Sequence, residues 1–305
     1  MRVAFSVEYI VWAKGPQAHP NIRSRRTVTV GGAKHQENFR DIETALQRST
    51  LEALDHLGRG EHLLGMGSEP WFSHDDSAVI PCRATVALLD LPPGDIDILW
   101  RKVRAIVPLV CAVAASSPFE ESGTSGVASN SLMHHILSCR AERRPLLSVD
   151  RRFNYGKVEG TARSNMVRST FSIDEENGVV QVSLWDAQEC ARSNLAMVAL
   201  LSSLMRVEGI GEDASQEDCE GTLALAARYG TAHLRDELSA MLELATENAM
   251  PEERMYLPII RDRVERGSLG ETMPAAVETG GLEHLYESLS RCLRTNRPYL
   301  APGRD

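Results

Sequence analysis

The 305-residue chain has no apolar run of the roughly 18 residues that a membrane-spanning helix requires. Its best stretch, Ile106 to Ala115, is too short and ends in Ser-Ser-Pro. The opening MRVAFSVEYIVWAKG has one positive charge and then Glu8 inside its apolar run, which is unlike a secretory signal, so a cytoplasmic location is expected. No C-x-x-C spacing occurs among Cys82, Cys111, Cys139, Cys190, Cys219 and Cys292, which leaves a zinc knuckle or thioredoxin-type motif unsupported. Reduced structural thiols are expected instead. Dense positive charge is also missing: the formal net charge is -9, and the short Arg23 to Arg26 group is the densest basic run. Nucleic acid and anionic membrane surfaces are therefore not expected partners, although a local cationic pocket could still hold a nucleotide. P-loop, Rossmann and G-x-S-x-G fingerprints are absent, as are internal repeats and low-complexity tracts.

What the chain does have is a change of texture along its length. Val3 to Trp12 and Thr27 to Val30 read as strands, Leu63 to Met66 and Ala78 to Leu89 as further strands, and Val179 to Trp185 as another. Asn38 to Leu57 has helical spacing with Gly58 as its stop, and Asp95 is placed to cap a long helix that reaches Ala115 past Pro108. A short helix is expected over Leu132 to Arg140, and strand pieces over Ala141 to Asn177. Helical periodicity then dominates Leu195 to Met205, Thr222 to Tyr229, Thr231 to Leu244, Glu252 to Arg266 and Leu282 to Thr295. Strands first and helices after predict an α+β fold, with a mixed or antiparallel sheet under packed helices and a mainly helical C-terminal third. We expect one domain over 1–305, with a sheet-rich part at 1–190 and a helical part at 191–305.

VCAVAASSPFEESGTSGVAS at 110–129, VVQVSLWDAQ at 179–188 and AARYG at 226–230 together resemble the carboxylate-amine ligase family that includes type 2 glutamate-cysteine ligases. In VCAVAASSPFEESGTSGVAS, Ala115, Ser117, Pro118, Phe119, Gly126, Ala128 and Ser129 agree with the family pattern, while Ser116 stands where the family has Asn. In VVQVSLWDAQ, Asp186, Ala187 and Gln188 agree, but Gln181 and Ser183 replace a metal-binding Glu and a phosphate-contacting Arg. AARYG, Ala226 to Gly230, matches without the charged residues that precede it in the family. The resemblance implies a glutamine-synthetase-like sheet whose concave face holds ATP, Mg²⁺ and the acceptor acid.

Such a ligase activates a carboxylate as an acyl phosphate and lets an amine displace the phosphate, which calls for metal-holding carboxylates and for cations facing the developing charge. Glu8 is the expected metal ligand, because a carboxylate inside an apolar strand is costly unless paired or metal-bound. The other metal positions of the family fall on Thr27 to Val30, on Arg83 to Ala87 and on Gln181, none of which supplies a carboxylate or a histidine. Arg83 can replace metal charge or bind a carboxylate or phosphate, or be an exposed strand-edge residue. Gln181 and Asp186 complete the catalytic candidates, Asp186 being equally placed to cap a helix near Gln188. Ser117, Gly126, Ser129 and Arg228 are the nucleotide-binding candidates: the small-residue loop offers amides and hydroxyls to an anion, and Arg228 either contacts nucleotide or pairs with Glu220. His134 and His135, adjacent on a helix, point about 100° apart and are not expected to share an ion.

Three functions follow. The first is an ATP-dependent ligase that forms an amide or peptide bond on a small amino-acid-like substrate. The second is a catalytically degenerate relative that binds a small molecule, supports a partner subunit or assembles with itself. The third is acyl chemistry on Cys82 or Cys139, for which the sequence offers no paired base.

Overall fold

The computed structural model describes residues 2–13, 26–31, 38–58, 61–67, 82–91, 96–120, 123–150 and 170–300. The first strand, β1 (Arg2–Ala13), organises the sheet. Its Val3, Phe5, Val7, Tyr9 and Val11 are buried while Ala4, Ser6 and Glu8 are half-buried, the period-two pattern of a strand with two unlike faces. Being twelve residues long, β1 pairs β2 (Arg26–Gly31) along one edge. Its other edge is shared by β3 (Glu61–Leu64) and β4 (Ala84–Leu89). The strands β5 (Phe119–Glu120) and β6 (Gly123–Thr124) lie outside this sheet and pair with each other as a small hairpin. With β7 (Val149–Asp150), β8 (Phe171–Asp174) and β9 (Val179–Val182), the sheet order is β2-β1-β4-β9-β8-β7, with β3 beside β1. The β7–β8 pair is parallel and the other pairs are antiparallel.

One face of this sheet joins the main core. Val86, Leu88, Val180 and Val182 pack there with α2 (Ile96–Ala114) and α4 (Ala191–Met205), whereas Ala87, Leu89 and Val179 form a separate small cluster with Ala4 on the opposite face. Of the residues of α4, all but Arg192 are buried, which fits its Ala- and Leu-rich sequence and its position between sheet and outer helices. The remaining helices are α1 (Phe39–Asp55), α3 (Asn130–Ala141), α5 (Gln216–Tyr229), α6 (Arg235–Asn248), α7 (Pro251–Arg254), α8 (Leu257–Arg266) and α9 (Leu269–Thr295). The fold is α+β with a helical C-terminal third, as the sequence predicts.

Local chemistry moves several boundaries. The helix expected from Thr231 starts at Arg235, because Gly230 turns at φ +60° and the Thr231 amide donates to Glu271 Oε2 at 2.8 Å. The helix expected over Glu252 to Arg266 divides into α7 and α8, each with proline in its first turn. The last helix begins earlier than Leu282, at Leu269, and breaks at Gly281, where φ is +79°. The strand expected to reach Trp185 ends at Val182. Asp95, residues 78–81 and the strand pieces sought between 151 and 169 lie outside the described residues.

Candidate functional site

The face of the sheet turned away from the main core carries the polar residues. Register places Glu8 across from Arg83: Ser6 pairs Thr85, Val7 pairs Ala84, and the Glu8 amide donates to the Arg83 carbonyl at 3.1 Å. On the next strands Ala87 faces Gln181, and the Ser183 hydroxyl bonds that of Thr85 at 3.0 Å. Glu8, Arg83, Thr85, Gln181 and Ser183 therefore sit on neighbouring strands, and three of the sequence-predicted residues come together here. Arg83 is not on an exposed edge, because β4 runs between β1 and β9 in the middle of the sheet.

Arg83 is half-buried, and among the described residues its guanidinium makes one long contact, from Nη1 to the Ser183 carbonyl at 3.5 Å. Its Nε is buried without a hydrogen-bond partner. Burial pulls its ionisation downward, while the carboxylates of Asp186 and Glu8 pull it back. Arginine keeps its charge regardless, so among the described residues this face holds a cation with no carboxylate within hydrogen-bonding distance.

Asp186 meets Arg83 in an isolated bridge at the end of this strand pair, but its side chain turns toward the small-residue loop. Its Oδ2 accepts from the Ser116 amide at 2.9 Å, the Ser117 hydroxyl at 3.0 Å and the Ser129 hydroxyl at 2.7 Å. The Ser131 hydroxyl lies beside the carboxylate, and burial pushes the Asp186 pKa up against these hydrogen bonds. Gly67 makes room for the carboxylate, since an added Cβ there would fall within its van der Waals envelope. Asp186 is therefore not a helix cap: α4 is capped by Cys190, whose side chain accepts from the Ser193 amide. It is the anchor that ties the loop to the sheet.

The loop satisfies itself closely. Ser117 and Ala128 are bonded N–H to carbonyl at 3.2 Å, the Ala128 and Ser129 amides donate to Arg228 and Ala227, and Gly270 donates to Ala115 at 2.8 Å. Ser117 and Ser129 thus direct their hydroxyls at Asp186. Gly126, at φ +74°, is exposed on the loop, and Arg228 is exposed on α5, with its guanidinium 5.4 Å from the Tyr229 ring centroid. The Glu220 partner expected for Arg228 instead accepts from the Leu146 amide and Gln216. The nucleotide candidates are therefore gathered around one loop but face two ways.

No protein-family model matches the chain. An uncharacterized protein of Archaeoglobus fulgidus is 26% identical over 325 residues, which cover 90% of this chain and 87% of the other. Among solved structures, a bifunctional glutathione synthetase from Pasteurella multocida superposes with a TM-score of 0.60 at 10% identity, over 97% of this chain. This chain spans 52% of that one. The ligase PafA, in its complex with the prokaryotic ubiquitin-like protein Pup, superposes with a TM-score of 0.51 at 11% identity, over 97% of this chain and 69% of PafA. The chain shares its fold with part of each of these two solved structures.

Within that fold, residues 186–189 (Asp-Ala-Gln-Glu) form a hub that sequence reading only half anticipated. Gln188 Nε2 donates to the Ala114 carbonyl at 2.7 Å, and its Oε1 accepts from Arg263 at 2.8 Å. Arg263 Nη2 reaches both oxygens of the fully buried Glu189, at 3.0 and 2.9 Å. Ser193 and the Tyr299 amide also donate to Glu189. Gly65 lets the chain after β3 lie against the backbone of Gln188 and Glu189. Arg263 had no signal, since in sequence it is one charge among several on an amphipathic helix.

A protein-held Mg²⁺ finds no fit among the described residues. They gather no group of three or more His, Cys, Asp or Glu side chains suited to a metal. A hard divalent ion wants about six oxygen donors, whereas Glu8 brings one carboxylate with a guanidinium opposite. The thiols fare no better as nucleophiles. All six cysteines are free and buried. Cys139 Sγ lies 3.7 Å from His135 Nε2, but that nitrogen donates to the Leu146 carbonyl at 2.9 Å. Burial lowers the imidazole to about 4 and raises the thiol, which is the reverse of an activated pair. A surface cleft of about 510 Å³ between α1, β3 and α9 is lined by none of the candidate residues. No described helix is long and apolar enough to cross a membrane.

Proposed function

We propose that this chain is an ATP-dependent carboxylate-amine ligase that forms an amide or peptide bond on a small amino-acid-like acid, in the manner of the type 2 glutamate-cysteine ligases it resembles. The observation that carries the reading is Arg83, which among the described residues is a cation with no carboxylate within hydrogen-bonding distance, on the polar face of the sheet. ATP enters as co-substrate and activates the acid as an acyl phosphate, which the amine then displaces. Arg83 holds the acid's carboxylate and faces the negative charge that grows as the phosphoryl group transfers. Gln181, Thr85 and Ser183 offer neutral hydrogen bonds along the same strands, and Asp186 fixes the loop that carries Gly126 and whose backbone bonds to α5 at Arg228. No step is assigned to a protein-held metal. The test is release of inorganic phosphate from ATP by the purified chain with an amino acid and an amine, supplied together and singly. Release that needs both supports the reading.

A second reading is favoured by one specific observation, the cation opposite Glu8 where a metal site would need another carboxylate. In it the chain is a catalytically degenerate relative that keeps small-acid binding and supports a partner subunit. Amino-acid binding without any ATP consumption, with an added partner chain raising thermal stability, supports this second reading over the first.

A further inference from the structure

The cleft between α1, β3 and α9 shares no lining residue with the polar face of the sheet. After its break at Gly281, α9 buries Leu285, Tyr286, Leu289, Cys292 and Leu293 on one side. Its other side turns Glu287, Ser290, Arg291 and Arg294, at helical spacing, into the cleft. Arg291 and Arg294 are exposed and one turn apart, which sets their Cβ atoms about 5–6 Å from each other. Like charges at that spacing repel. Among the described residues neither guanidinium is in an ion pair, although Glu287 stands one turn before Arg291.

The end of α9 does not need these arginines. Gln47 Nε2 donates to the Leu293 and Arg294 carbonyls at 3.0 and 3.1 Å, and the Arg297 amide donates to the Cys292 carbonyl at 3.3 Å. The carbonyls that a C-terminal arginine could cap therefore already have donors. On the facing wall Glu61 Oε2 accepts from the Gly58 amide at 2.7 Å and closes the turn after α1, while Leu54 and Leu57 supply apolar lining. Among the described residues no aromatic side chain lines the cleft, so a nucleobase would find no stacking surface. Its volume of about 510 Å³ is that of a small-molecule site. Two guanidiniums one turn apart match a doubly charged phosphate. An extended polyphosphate would run onto the carboxylates of Glu287 and Glu61, whereas hydroxyl groups can donate to them.

We propose that this cleft binds the phosphate monoester of a small polyhydroxylated molecule, a sugar or polyol phosphate. The phosphate lies against Arg291 and Arg294 with the Ser290 hydroxyl donating to it, the ligand's hydroxyls donate to Glu287, and its C–H face rests on Leu54 and Leu57. The site stands apart from the sheet residues assigned to ligation, and it does not rest on the ligase reading.

The experiment is a thermal-shift screen of the full chain against a panel of sugar and polyol phosphates, glucose 6-phosphate and glycerol 3-phosphate among them, at fixed ionic strength and without ATP. Calorimetry on the best ester follows, beside its dephosphorylated form, inorganic phosphate and AMP. The expected result is binding by the ester, with roughly tenfold or more lost on removing either the phosphate or the hydroxylated part. The double variant Arg291→Gln/Arg294→Gln should abolish it, and Arg261→Gln, the same charge change on an exposed residue of α8, should not. Glu287→Gln should weaken the ester and leave inorganic phosphate no weaker. All these side chains are exposed, so the variants should melt with the wild type, which a scan without ligand checks. No shift across the panel overturns the proposal. So do inorganic phosphate binding as tightly as the best ester, AMP competing with that ester at equal affinity, and an affinity that the double variant leaves unchanged.

Discussion

Glu8 and Arg83 stand at facing positions on adjacent strands, joined by a 3.1 Å bond from the amide of the first to the carbonyl of the second. The register that brings them together is fixed by burial. A slip of one residue would turn Val3, Phe5 and Val7 out of the core and Ala4, Ser6 and Glu8 into it. The opposed charges on the polar face are thus a consequence of apolar packing on the other.

Asp186 has a structural role that can be separated from chemistry. Replacing it with alanine leaves the Ser117 and Ser129 hydroxyls and the Ser116 amide without their shared acceptor. We expect a loss of about 3 kcal/mol in urea unfolding, against about 1 kcal/mol for Ser117→Ala.

Gly67 should tolerate no side chain. A methyl group there meets the Asp186 carboxylate, so Gly67→Ala should cost about 1–3 kcal/mol through forced repacking. Gly221, whose added Cβ would meet nothing, is the control, and Gly221→Ala should leave the melting temperature unchanged or raised.

The buried pair Glu189–Arg263 predicts strong coupling. Each single change, Glu189→Gln or Arg263→Met, strands a charge in the core and should cost about 3–5 kcal/mol. The double variant should lose clearly less than the sum of the two in a denaturation cycle.

His135 gives a pH dependence of definite sign. Burial, with the nearby Arg83 charge, holds its folded pKa at about 4, below the ordinary value of 6.5. The unfolded chain therefore binds the extra proton first as pH falls. This group's contribution is full above about 6.5 and is lost progressively down to about 4. His135→Gln, which keeps a donor for the Leu146 carbonyl, should flatten the stability curve across that window.

Much of the fold was legible because its signals are local. The alternation in β1, the helical spacing of α1 and the helical C-terminal periodicity each reside within a few consecutive residues. Glu8 was legible as a carboxylate out of place on a strand, and Arg83 and Gln181 as residues standing at metal positions of the family the chain resembles. Their assembly on one face was not, since it depends on which strands pair. The hub at 186–189 was hidden for the same reason: Arg263 and Glu189 are 74 residues apart, and neither looks unusual in its own segment. The loop at Ser117 to Ser129 looked like an anion cradle because small polar residues serve equally for ligands and for internal bonds. The partner that decided between these, Asp186, is 57 residues beyond Ser129.

The most direct measurement of the central claim follows oxygen from the acid into the phosphate. An amino acid carrying ¹⁸O in its carboxylate is incubated with the chain, ATP and an amine, and the released phosphate is examined by mass spectrometry. Ligation through an acyl phosphate transfers one labelled oxygen to phosphate, and Arg83→Met should abolish the labelled product. Phosphate released without label, or no phosphate released at all, would contradict the account.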